Sequence, residues 1–391
     1  MMQPHKLSTA LWVFIPLALV VLSGCGGGNG STPDANSNPA INSAASVQID
    51  ATAGGLGTNI SAPANKYTYF NLDSGQIVAL SDADASVSNA WHVAFKRTSI
   101  KLNGGVSGPD SVTGALADAQ EGFYNTDGTP NTSVFLNATA ETELAAFDGV
   151  TSAGSLSFAE DRNIPYIKGD GTSDGWWLYS GAPSYTVSAN PNQWWLIKSA
   201  AANSYAKFRV TNIVQASRDI TLELFTQGAA DSAFSSAAIL WTAAIGAAGG
   251  SKCFDIDTAL EVSCATGAAD WDIKVEVAGQ AWNIWTNGGV SGSGSGGAFG
   301  PFDDTVIGGY VSGTASPGGT DITRMYGQDS AGGVFKDNTW YAYSLQGNNK
   351  LWPNYRIYAI DTGLTQYKLQ ILSYYNDAGV SGWVKFRYQR L

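Results

Sequence analysis

Histidine is almost missing from this 391-residue chain: there are 2, and only His92 stands beyond the first 25 residues. That scarcity excludes most catalytic triads and any histidine-rich metal centre. Charge is also scarce, at 14% of residues, and unbalanced, with a formal net charge of −11. Nucleic acid needs a basic surface to meet its phosphates, so it is not the expected partner. Asp170, Asp174, Asp303, Asp304 and Asp321 sit in Gly-rich loops, but no twelve-residue EF-hand spacing or nonapeptide repeat joins them, and they read as solvated loop acids. "GVSGSGSGG" at 289–297 has no apolar helix after it, as a nucleophile elbow requires, and its "GSGSGG" lacks the Gly-Lys-Ser/Thr ending of a phosphate loop. No enzyme is expected.

Long apolar runs are missing too, apart from "LWVFIPLALVVL" near the N-terminus. That run is too short for a membrane span and reads as a signal peptide over residues 1–24. It runs into Leu22-Ser23-Gly24-Cys25, which resembles the bacterial lipobox and marks Cys25 for lipidation. Residues 25–46, rich in Gly, Ser, Asn and Pro, have little to bury and read as a flexible tether. Because Gly26 is not an aspartate, outer-membrane anchoring is the expectation, at the cell surface or on the periplasmic face.

What the chain does have is glycine and aromatic rings: 46 Gly, 13 Trp, 17 Tyr and 15 Phe. With so little charge, this composition favours short strands and tight turns. Cys253 and Cys264 are an even pair in an exported chain, so a disulfide is the default. Two Ala-rich stretches, Glu141–Val150 and Asp231–Gly246, are expected to form short helices.

"NGGVSG" occurs at Asn103–Gly108 and again 184 positions later at Asn287–Gly292. At the same offset, "YFNLDSGQIVAL" (Tyr69–Leu80) meets "CFDIDTALEVSC" (Cys253–Cys264), each reading as two short strands around a polar turn. Strands starting at Trp91 and Trp271 alternate and feed the two Asn-Gly-Gly turns. Downstream, "DGWWLY" pairs with "NTWYAY", Trp194–Val210 with Arg356–Ile371, and Asp219–Gln227 with Trp383–Leu391. The unchanged order of blocks predicts a tandem duplication, with domains at 47–228 and 229–391.

These blocks resemble the HmuY family of bacterial haem-binding lipoproteins, through "WHVAFKRTSIKLNGGVSG", "NIWTNGGVSG" and the closing "LWPNYRIYAIDTGLTQYKLQILSYYNDAGVSGWVKFRYQRL". The resemblance implies an all-β fold of two tandem HmuY-like antiparallel β domains with short helical insertions. It also implies capture of haem and its delivery to an outer-membrane transporter. Family members hold iron with His-His or Met-Met pairs, and neither pair exists here. The haem-ligand candidates are Met325, in a Gly-rich loop, with His92, Tyr326 and Tyr166. Strand alternation puts His92 opposite the Trp91 face, which reads as an exposed strand position. Trp177 and Trp195 each follow another Trp, so one ring of each pair is expected to point outward. Exposed rings would allow stacking on porphyrin, or an alternative role as a carbohydrate-binding or protein-docking lipoprotein.

Overall fold

The computed structural model describes residues 44–54, 66–265 and 270–391. The expected signal, Cys25 and most of the tether lie outside them. Ala45 and Ser46, expected to end the tether, instead begin the strand Ala45–Asp50. Among the described residues no helix is long and apolar enough to cross a membrane.

The protein is built predominantly of antiparallel β-sheet with a few short helices. Two five-stranded sheets have the same plan. One runs in the order Ala45–Asp50, Ser381–Arg390, Gln366–Tyr375, Ile357–Asp361, Thr113–Asp118; the other runs Ile239–Ala244, Asp219–Gln227, Tyr205–Val214, Trp194–Lys198, Gly297–Phe302. Two four-stranded sheets also match. Each sets a short hairpin beside a Trp-led strand and its partner: Thr68–Asn71 and Gln76–Val78 with Val93–Lys96 and Ser99–Leu102, and Gly250–Asp255 and Leu260–Val262 with Ile273–Ala278 and Ala281–Thr286. Cys253 and Cys264 are disulfide-bonded and staple the second of these hairpins.

Alternating apolar residues bring each four-stranded sheet against a five-stranded one. Phe70, Val93 and Phe95 pack with Tyr358, Leu369 and Phe386 in one core. Phe254, Ile273 and Val275 pack with Phe208, Leu222 and Trp241 in the other. Aromatic contacts tie both: Phe95 stacks on Phe386 at 5.1 Å between ring centres, and Trp241 meets Phe254 at 4.9 Å.

These cores do not follow chain order. Every described core group draws either on 45–161 with 330–391, or on 162–329. The expected boundary at 228/229 is crossed within one sheet, where Leu222 sits opposite Trp241. The crossings between the two packed sets run side by side, since Arg162–Ile164 pairs antiparallel with Ser330–Gly332.

Of the two expected helices, one forms at Leu144–Gly149. The other does not: Ile239–Ala244, inside the Asp231–Gly246 stretch, is an edge strand with Trp241 and Ala243 buried. Alternation and sheet pairing there override the helix propensity of alanine.

Candidate functional site

Both Asn-Gly-Gly turns are held by the same bonds. The Asn103 side-chain amide donates to the Trp91 carbonyl at 2.8 Å, and Asn287 does the same to Trp271 at 2.8 Å. A buried aspartate then locks each turn. Asp161 Oδ2 accepts from the Leu102 N–H at 3.1 Å, and Asp329 Oδ2 accepts from Thr286 at 2.8 Å. Their carbonyls accept from Val106 and Val290. Burial pushes both carboxyls up to about 6. Gly105 and Gly289, with φ +58° and +65°, are required here, because a Cβ would strike the Asp161 or Asp329 carbonyl oxygen.

Beside the first turn lies a cleft of about 650 Å³. Val93–Lys96 and Ser99–Leu102 bring Lys96 and Lys101 to it, the short helix Val334–Asp337 brings Lys336, and Gly289–Val290 of the second turn line it as well. The half-buried Tyr67 and Tyr341 supply aromatic surface, and the fully buried Trp340 meets Tyr341 edge-on at 4.7 Å. The Lys96 and Lys101 ammonium groups lie 4.5 and 4.6 Å from the centre of the Tyr67 ring, within cation–π range. Lys101 also donates to the Ser107 carbonyl at 3.3 Å. Lys96 is only 8% exposed, and burial pushes it down to about 8, with Lys101 adding to the fall and Asp82 opposing it. Burial also lowers Lys101, against the pull of Asp82 and Asp161. Among the described residues, none of the three lysines has a carboxylate at ion-pair distance.

The candidate iron ligands are not brought together at this cleft. His92 is buried, contrary to the expected exposed position: it immediately precedes the strand Val93–Lys96, whose two faces are both covered. Its Nδ1 accepts from the Leu72 N–H at 3.1 Å, and its Nε2 faces Asp73 at 3.8 Å. Burial lowers its pKa, while Asp73 and Asp110 act the other way. The corresponding Asp272 does the same work, its two oxygens accepting from Ala200 and Ile256. His92 is thus a structural acceptor.

Met325 is 42% exposed on the loop before Ser330–Gly332. Tyr326, next to it, is buried, donates to the Gly313 carbonyl at 2.6 Å, and is raised well above the usual phenol range by burial. Tyr166 is half-buried with its ring against Gly327, and burial raises it as well. Neither tyrosine is poised as a tyrosinate. Trp195 is fully buried and stacks on Phe208 at 6.0 Å, so it presents no outward face. Trp194 is also buried, because a strand covered on both sides buries both rings of an adjacent pair. Trp177 is half-buried against its core.

Sequence reasoning missed Lys96, Lys101, Lys336 and Tyr67. A signal was present: the strand registers place Lys96 and Lys101 where the matching hairpin has Glu276 and Trp285.

Fold and cleft together define an antiparallel β-protein with a ligand-sized, aromatic and cationic recess. The model of the family described as HmuY protein matches residues 63–223, so that stretch is similar to this family. None of the curated proteins matches this sequence. Among solved structures, one provisionally described as a lipoprotein from Bacteroides fragilis is 11% identical, covering 89% of this chain and 90% of its own, with a TM-score of 0.30. One provisionally described as an HmuY-like haem-binding protein from Bacteroides vulgatus is 7% identical, covering 88% and 90%, with a TM-score of 0.29. The apo HmuY analogue of Tannerella forsythia is 11% identical, covering 89% and 95%, with a TM-score of 0.27. At these values no residue role transfers.

Proposed function

We propose that this protein is a lipid-anchored haem-binding protein of HmuY type that holds haem at the outer membrane for an uptake system. The observation that carries the reading is the HmuY match over 63–223. The cleft supports it: its volume of about 650 Å³, its aromatic lining and its lysines suit a planar apolar ring bearing two carboxylates. The residues present do not suit paired iron ligation. His92 has its Nδ1 lone pair engaged by Leu72, and Tyr326 has its hydroxyl engaged by Gly313. Met325, exposed on its loop, stands apart from His92, which lies in the other packed set. Lipidation at Cys25 follows from the lipobox-like sequence, and transfer to a transporter follows from the family reading alone.

On this reading the chain is a tandem duplication whose halves pack in exchange. The start of the first copy pairs with the end of the second, and the two inner halves pair with each other. The repeated bonds at the two turns and the matching sheet plans support it.

Haemin titration of the chain starting after Cys25, followed by absorbance, tests the function. A saturable, sharpened Soret band at one equivalent is the expected result. A spectrum equal to the sum of free haemin and protein would overturn it. Carbohydrate binding by stacking has no support from Trp195, whose ring is enclosed.

A further inference from the structure

The two Asn-Gly-Gly turns share a scaffold but differ in how they treat charge. In the 162–329 set, the position of Lys96 is Glu276 and that of Lys101 is Trp285, and the Trp285 indole N–H donates to Glu276 at 2.7 Å. Lys274 approaches the same carboxylate at 3.9 Å. Lys168 of this set follows Asp161, the buried aspartate of the other set, at the same spacing as Lys336 follows Asp329. Lys168 is neutralised by Asp170 at 3.3 Å and Asp174 at 3.4 Å. The 162–329 set therefore closes its polar groups on one another. The other set collects three lysines around a cleft and, among the described residues, supplies no carboxylate at ion-pair distance.

A buried cation without a counter-ion costs stability, so its retention needs a compensating partner. The carboxylates that act on these lysines have other tasks: Asp82 accepts from the Tyr67 N–H and the Tyr69 hydroxyl, Asp161 accepts from Leu102, and Asp337, which acts on Lys336, pairs with Arg162 at 2.7 Å. Lys96 and Lys101 flank one ring, Tyr67, while the exposed Lys336 stands at the rim near Phe335 and Tyr341. Cationic groups beside aromatic surface match a flat ring system that carries carboxylates at its edge.

We propose that this cleft is the ligand site, and that Lys96, Lys101 and Lys336 bind the carboxylates of a planar aromatic dicarboxylate, so that recognition is through the ring and its acids and does not require iron. Only the choice of a porphyrin as ligand rests on the haem-binding reading. The probes are haemin, metal-free protoporphyrin IX and protoporphyrin dimethyl ester, each titrated against the chain starting after Cys25 by quenching of Trp fluorescence. Metal-free protoporphyrin should bind saturably at one per chain. The dimethyl ester should bind at least tenfold more weakly. Lys101→Met and Lys336→Met should each weaken protoporphyrin binding by tenfold or more, while Lys252→Met, in an exposed pair with Glu261, should leave it unchanged. The ester comparison needs no mutation and stands even if a variant misfolds. Equal affinity for acid and ester, or lysine variants that fold and bind like wild type, would overturn the proposal. Binding of haemin with none of protoporphyrin would also overturn it and leave the haem-binding reading intact. Lysine-dependent protoporphyrin binding with no haemin Soret change would uphold this site and remove the haem reading.

Discussion

Replacing Lys96 with Met should make the protein more stable at neutral pH, and the gain should depend on pH in a defined direction. Lys96 is 8% exposed, and burial holds its pKa at about 8, below its ordinary 10.5. At about 1.4 kcal/mol per pKa unit, that gap is a penalty of roughly 3 kcal/mol for keeping the ammonium charged in the folded chain. Below pH 8 the side chain is protonated in both folded and unfolded states, so the whole penalty is present. Between pH 8 and 10.5 the unfolded chain binds more protons than the folded one, so wild-type stability rises with pH and the penalty disappears. Methionine keeps an unbranched apolar stem and carries no charge. Its lost cation–π contact with Tyr67 offsets part of the gain, about 1 kcal/mol. The expected net is a variant stabilised by about 2 kcal/mol at pH 7 and by nothing at pH 10.5. The assay is urea unfolding followed by Trp fluorescence, with variant and wild type compared at each pH so that other titrations cancel. A variant less stable at pH 7, or a difference that does not change between pH 7 and 10.5, would refute the reasoning.

Gly105→Ala should lower stability by roughly 2 kcal/mol or more, since it adds positive-φ strain and a clash with the Asp161 carbonyl; thermal melts check it, and an unchanged midpoint counts against the turn geometry. Removing the Cys253–Cys264 disulfide with a double Ser variant should cost about 3 kcal/mol by the loop-entropy account, for a sequence separation of 11. That variant should be insensitive to reductant, where wild type loses a similar amount on reduction. Trp195→Ala should cost about 3–5 kcal/mol as a core cavity, and retardation of the folded variant in polysaccharide gels should equal that of wild type.

Much of the fold was legible because its signals are local. Trp91, Val93 and Phe95 alternate, Asn103-Gly104-Gly105 turns, and the spacing of Cys253 and Cys264 fits a stapled hairpin. The pairing of distant strands was not legible. On the proposed duplication, two copies with the same pattern give each half two compatible partners, as in domain swapping, and no local residue says which is taken. His92 was misread for a related reason: alternation predicts one exposed face only where the second face of the sheet is open. The lysines were not legible because a lysine in an alternating strand ordinarily reads as a solvated position. A Lys96/Glu276 and Lys101/Trp285 difference between matched strands was visible in the sequence, but its meaning depends on the cleft that places Lys336 beside them.

The exchange of halves makes a prediction about excision. The fragment 47–228 looks like a domain in chain order and contains all of the family match. In the whole protein, however, its Phe70 and Phe95 are covered by Phe386, and Val93 shares a core with Tyr358 and Leu369. The same fragment keeps Leu222 but loses its partner Trp241, and it keeps Lys96 and Lys101 but loses Lys336 and the second turn. Cut at 228, both of its cores are halved, and each exposed half is the kind of apolar sheet face that must be covered. The one rescue open to it is for its own two halves to pair, which would demand new contacts between Phe95 and strands such as Tyr205–Val214. The expected outcome is a fragment that binds a hydrophobic dye strongly and melts without cooperativity. A sharp cooperative melt with low dye binding would show that the halves re-pair readily, and that the packing exchange is not required for folding of the first copy.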